Sequence, residues 1–223
     1  TEFGHRFLFN NRVNADIDTY GLFHWHYLER NLDAALLKLP LFNDGQLLRY
    51  SPWGLSLFLT LPVLVLALAP SVQPKRVYGA LAATAGLLVL SAKFQSAEVL
   101  RGIDSVGGRP APVLVALVAV LVLFAWLSKL WLTDPQAPRL LVPVLVTLLA
   151  CAIPGLLYQN TGYAQFGFRF SLDYTPYVAL LVVLGGWRLK QPLVMGVLAV
   201  AGLVNFWGAV AFRGYTEGVR QWP

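Results

Sequence analysis

Two copies of one five-residue pattern carry the strongest hint of chemistry in this chain. Phe3-Gly4-His5-Arg6-Phe7 and Phe166-Gly167-Phe168-Arg169-Phe170 both read F-G-x-R-F. Glycine permits close backbone approach, aromatic rings seat at headgroup depth, and a guanidinium offers phosphate a planar fork. Arg6 and Arg169 together would hold a lipid phosphate or pyrophosphate by charge-assisted hydrogen bonds. The plainer reading is a chance echo containing two arginines that snorkel toward water.

Asp173 follows Arg169 by four residues, so on a helix the two would face each other. An ionisable residue at the edge of an apolar span is either functional or half of a structural ion pair. Acid–base work would need a second carboxylate or a base nearby. Glu2, Asp16, Asp18, Glu29 and Asp104 fall on the same predicted side. Just upstream, Gln159, Asn160 and Thr161 supply amides and a hydroxyl suited to sugar or phosphate oxygens. The candidate substrate-binding set is therefore Arg6, Arg169, Gln159, Asn160 and Asp173, with no catalytic residue assigned.

His5, His24 and His26 suggest no metal centre. Positions two apart on a helix diverge, and no cysteine or close acid completes a ligand pattern. No phosphate-binding loop, dinucleotide fingerprint, zinc-protease motif or nucleophile elbow occurs, so no cofactor is expected. Cys151 lies alone in an apolar run and cannot form a disulfide within the chain.

The elements that must position these groups are apolar. Hydrophobic residues make up 57% of the 223 and charged residues 13%, which fits an integral membrane protein. The charge of +6 comes from basic residues spread over many loops, a pattern for topology and anionic lipid rather than nucleic acid. Six apolar segments follow a polar, aromatic start: Ser51–Pro70, Val77–Ala92, Pro112–Leu132, Arg139–Tyr158, Tyr174–Trp187 and Pro192–Phe212. The expectation is an all-α polytopic transmembrane helix bundle of about six spans, although the second and fifth are short of the ~20 residues of a full crossing.

Before these spans, Leu22, Trp25, Leu28, Leu32, Leu36 and Leu39 recur at helical spacing, with Glu29, Arg30, Asp33 and Lys38 off the stripe. That predicts an amphipathic helix in the membrane interface, ended by Pro40. Tyr27, Arg30 and Asn31 lie on its more polar side, solvated or packed on the bundle. The chain divides into 1–50 (loop and interfacial helix), 51–212 (bundle) and 213–223 (tail), and is expected to be part of a longer chain. Short loops with Lys75/Arg76, Lys129/Arg139 and Arg188/Lys190 would face the cytoplasm. The N-terminus and every polar-rich stretch then lie together outside.

The segments "EFGHRF", "YGLFHWHYLERNLDAALLKLP", "SPWGLSLFLTLP" and "YQNTGYAQFGFRFSLDYTPY" resemble the C-terminal half of bacterial GT-C glycosyltransferases, laid out like the dolichyl-phosphate-mannose–protein mannosyltransferases. The resemblance covers about residues 2–62 and 139–187. It implies an inner-membrane enzyme that takes a sugar from a polyprenyl-phosphate donor. The family's catalytic acid belongs to an early outer loop that nothing here matches. Arg6, Arg169, Gln159 and Asn160 would form a donor-side wall. Expected partners are membrane lipids, a polyprenyl-phosphate lipid and other membrane subunits, with no nucleic acid. The competing expectation is a non-catalytic accessory or scaffold subunit of a larger membrane complex. A transporter fits less well, because no inverted repeat is visible.

Overall fold

Seventeen residues without a single charge, Leu141–Leu157, form the helix around which the polar end of the protein is arranged. The computed structural model describes residues 11–43, 46–49, 54–67, 70–71, 78–79, 81–90, 118, 139–162 and 165–219. In chain order these give α1 (Asn11–Tyr20), a 3-10 turn (Trp25–Tyr27), α2 (Leu28–Leu32), a π turn (Asp33–Leu37), β1 (Leu41–Asn43) and β2 (Gln46–Arg49). Then come α3 (Leu57–Thr60), α4 (Leu64–Ala67), α5 (Leu81–Leu90) and α6 (Leu141–Leu157). A second 3-10 turn (Arg169–Asp173), α7 (Thr175–Leu184) and α8 (Pro192–Val219) complete the chain.

The protein is predominantly helical, as its apolar segments predict, with one small addition. Strands β1 and β2 pair antiparallel, Leu41 opposite Arg49 and Asn43 opposite Gln46. The Asn-Asp-Gly run at 43–45 is a hairpin signal that the helical reading passed over.

Among the described residues one helical stretch, Pro192–Val210 in α8, is long and apolar enough to cross a membrane. The segment expected as the first span is instead broken. Its helices α3 and α4 are four residues each, parted at Leu61-Pro62, where Leu61 leaves helical backbone and Pro62 has no N–H to give. Of the third segment, 112–132, only residue 118 is described.

The predicted interfacial helix is also reorganised. Its periodic Leu32 and Leu36 do point inward, but into protein, where they join Phe58, Val65, Phe168 and Val178 in the core. Asn31, Asp33 and Lys38, which periodicity assigns to the polar side, are buried as well. A π turn carries five residues where an α-helix would carry fewer, so the faces before and after it no longer align. Each large core side chain contributes about 1.5–3 kcal/mol by leaving water.

Two sets of contacts fix the ends of the bundle. At one end, Ser71 donates its backbone N–H to the Gly185 carbonyl (2.8 Å), and the Trp187 indole donates to Leu66 (2.9 Å). At the other, Phe170 packs on Gly155, and the Asn205 amide of α8 donates to the Thr60 carbonyl (3.0 Å). The turn between α7 and α8, with exposed Arg188 and Lys190, therefore lies at the end opposite the 158–173 loop.

Candidate functional site

The C-terminal end of α6 leaves carbonyls without helical partners, and α2 supplies the donors. The Asn31 carboxamide nitrogen donates to the Leu156 carbonyl (2.8 Å) and the Tyr158 carbonyl (2.7 Å). Its oxygen accepts from the Thr161 hydroxyl at 2.7 Å. Arg30, next in sequence, donates to the Gln159 carbonyl. The preceding segment crosses the same helix end, with His24 N–H donating to Leu157 (3.0 Å) and Gln159 N–H to Leu22 (2.8 Å).

The loop continues as a second clamp. The Gln165 amide donates to the Thr161 carbonyl at 3.0 Å, and Leu55 N–H donates to Phe166 at 2.8 Å. Gly54 has φ +96 and lies so close to Gly167 that a Cβ would meet its backbone at 3.1 Å. Only glycine adopts that backbone cheaply while letting two chains touch. Ser56 then donates its hydroxyl to Leu36 (2.7 Å) and caps α3 by accepting from Phe58 N–H (3.2 Å). Segments 22–38 and 158–173, which sequence placed on one side, meet at one end and are joined there by 54–60 from the expected first span.

Of the candidate residues, Arg169 is exposed, with its guanidinium carbon 5.4 Å from the Phe170 ring centre. Asp173 is also exposed. The expected Arg169–Asp173 face-to-face pair does not form: the turn is 3-10, so positions four apart diverge, and no ion pair joins them among the described residues. Gln159 is buried rather than lining a wet surface, and among the described residues its side-chain oxygen has no hydrogen-bond partner. Asn160 is half-buried and uses its side-chain oxygen to accept from Gly162 N–H (2.8 Å), a local turn bond. Arg6, with the whole first F-G-x-R-F copy, lies outside the described residues, as do Glu2, His5 and Asp104.

A second cluster forms on α1 and the first 3-10 turn. Tyr20 stacks on His26 with ring centres 4.1 Å apart, and His26 Nε2 lies 3.9 Å from the Asp16 carboxylate. His26 N–H donates to His24 Nδ1. No group of three or more His, Cys, Asp or Glu that would hold a metal occurs among the described residues. The buried Tyr27 hydroxyl donates to the Gly21 carbonyl (2.7 Å), with the Asp16 carbonyl 3.0 Å away. Burial pushes this phenol above its usual range, and the negative charge of Asp16 adds to that, against a smaller opposing effect of Arg30.

Sequence reasoning missed Asn31 as the hub and the buried Asp33–Lys38 pair, 3.7 Å apart. The signal available was their polarity inside an otherwise apolar run, Asn31–Leu39. No family model, no curated protein and no solved structure matches this chain.

Proposed function

We propose that this chain is the C-terminal portion of a membrane-embedded, glycosyltransferase-like protein. It binds a polyprenyl-phosphate sugar at the extracytoplasmic face of a bacterial inner membrane, within a bundle of about six spans. The observation that carries the reading is the meeting of segments 22–38, 54–60 and 158–173 at one end of apolar helices, where Arg169 stands exposed. A guanidinium set on an aromatic face, with no carboxylate partner among the described residues, keeps its donors for a phosphate. The Gln165 side-chain oxygen lies beside Arg169, accepting from its backbone N–H at 3.4 Å. No residue of this chain is assigned as the catalytic base.

The test is binding of undecaprenyl phosphate in mixed vesicles by the full-length protein. Arg169→Ala is expected to weaken it about 10- to 100-fold, the loss of one hydrogen bond to a charged group, with the thermal midpoint unchanged. Equal binding to vesicles lacking the polyprenyl phosphate would sink the reading.

A second reading is an accessory subunit of a membrane complex. It is favoured by Asn31, Thr161 and Gln165, whose polar groups are committed to holding the fold. Co-purification of stoichiometric membrane partners, with no carrier-lipid binding, would select it.

A further inference from the structure

We propose that a rim around the C-terminal end of α6, built from Phe23, Trp25 and Leu172, seats the protein in the headgroup layer of a bilayer. This does not rest on the carrier-lipid reading. The three side chains are large, apolar and exposed, at 57%, 72% and 70%. Each is flanked by polar residues, His24 between Phe23 and Trp25, and Ser171 and Asp173 on either side of Leu172.

The backbone bonds of His24 and Gln159 tie residues 22–24 across the last turn of α6 and put the Phe23 ring 5.2 Å from Tyr158. On the other flank Tyr158 meets Phe170 at 5.8 Å, two residues before Leu172. Rings thus surround the helix end on both sides. An indole with its apolar body uncovered and its N–H near polar groups is the side chain favoured at a membrane–water boundary.

Continuity and spacing identify the occupant. Val142, Val146, Leu149 and Ile153 are exposed along α6 and form one stripe at helical spacing that leads up to this rim. The polar group of Tyr20, His26 and Asp16 is formed by the residues that flank Trp25 in the chain. Exposed Arg188 and Lys190 mark the opposite end of α7. Helix α6, which packs against α7, is about 25 Å long at about 1.5 Å per residue, close to the ~30 Å hydrocarbon core. An apolar belt of that height, closed by aromatics at one edge and cations at the other, matches a lipid bilayer.

The test uses the full-length protein in phosphatidylcholine–phosphatidylglycerol vesicles, carrying one nitroxide on a cysteine introduced in a Cys151→Ser background. Trp25→Cys, Leu172→Cys, Val146→Cys and Asp18→Cys are compared for collision with dissolved oxygen and with an aqueous nickel chelate. All four positions are exposed and can carry the label without displacing core side chains. Labels at 25 and 172 are expected to be several-fold less open to nickel than at 18, and less rich in oxygen than at 146. Nickel access at 25 and 172 equal to that at 18 would overturn the proposal. So would access at 25 that a soluble oligosaccharide blocks and lipid does not, which would make the rim a saccharide platform instead.

Discussion

Asn31 and Thr161, 130 positions apart, share a 2.7 Å hydrogen bond between fully enclosed side chains. Both amide protons of Asn31 go to carbonyls at the end of α6. Every hydrogen-bonding capacity used in this way serves the junction between α2 and the 158–165 loop. Asn31→Ala would leave two carbonyls and a hydroxyl without their partner at a buried site, at about 1–3 kcal/mol for each buried orphan. We expect a loss of several kcal/mol, read from chemical or thermal unfolding of the purified protein. Asn31→Asp is near-isosteric yet turns a carboxyl oxygen toward carbonyl oxygens, and should be no better than alanine. A neutral outcome for both would show that the junction holds without this clamp.

The Asp33–Lys38 pair lies in the same wall, at 0% and 1% exposure of the two side chains. Removing one partner from a buried pair takes away the charge that faces the other and typically costs 3–5 kcal/mol. Lys38→Met should destabilise by about that amount. Asp33→Leu combined with Lys38→Met should recover most of the loss, because two apolar side chains of similar size need no counter-charge. If the double variant is as unstable as the single one, the pair has a role beyond charge compensation.

How far sequence reaches is clearest in this segment. Leu32 and Leu36 were legible as an inward stripe, because period alone identifies a face that leaves water. Periodicity could not show that the opposite face is covered too. It sorts residues by angle, and the π turn at Asp33–Leu37 changes the angle midway. That 22–38 and 158–173 gather at one end was legible from loop polarity; that 54–60, read as part of an apolar span, joins them was not. Which loop residues would be enclosed was not, because Gln159 and Arg169 look alike as polar letters. One is buried by backbone bonds to Leu22 and Arg30, while the other begins an exposed 3-10 turn.

Backbone contact rather than side-chain chemistry sets the next expectation. Gly54 pairs a left-handed backbone with an approach to Gly167 so close that an added Cβ would lie 3.1 Å from its backbone. Gly54→Ala should cost at least about 1 kcal/mol for the φ alone, with a further loss from pushing the 54–56 and 165–167 segments apart. Thermal unfolding of Gly54→Ala against Gly79→Ala checks it, since a Cβ at Gly79 meets nothing within 4 Å. Equal midpoints for the two variants would mean that the close approach is dispensable.

Tyr27 makes a prediction about pH. An unfolded tyrosine ionises near 10, and in the folded protein burial and Asp16 hold its proton more tightly. Above pH ~10 the unfolded chain therefore binds fewer protons than the native one at this position, so stability must fall as pH rises. Below that value both states keep the proton, and the contribution is fully present. Tyr27→Phe loses the bond to Gly21 and should be less stable near neutrality by about 0.5–1.5 kcal/mol. Its stability should then decline less steeply between pH 9 and 11, so that the gap between the two proteins narrows. Unfolding midpoints measured in parallel across that range isolate this tyrosine from the other eight. A gap that stays constant would mean that the phenol ionises as freely in the folded protein as in the unfolded chain, and that Asp16 and burial have no hold on it.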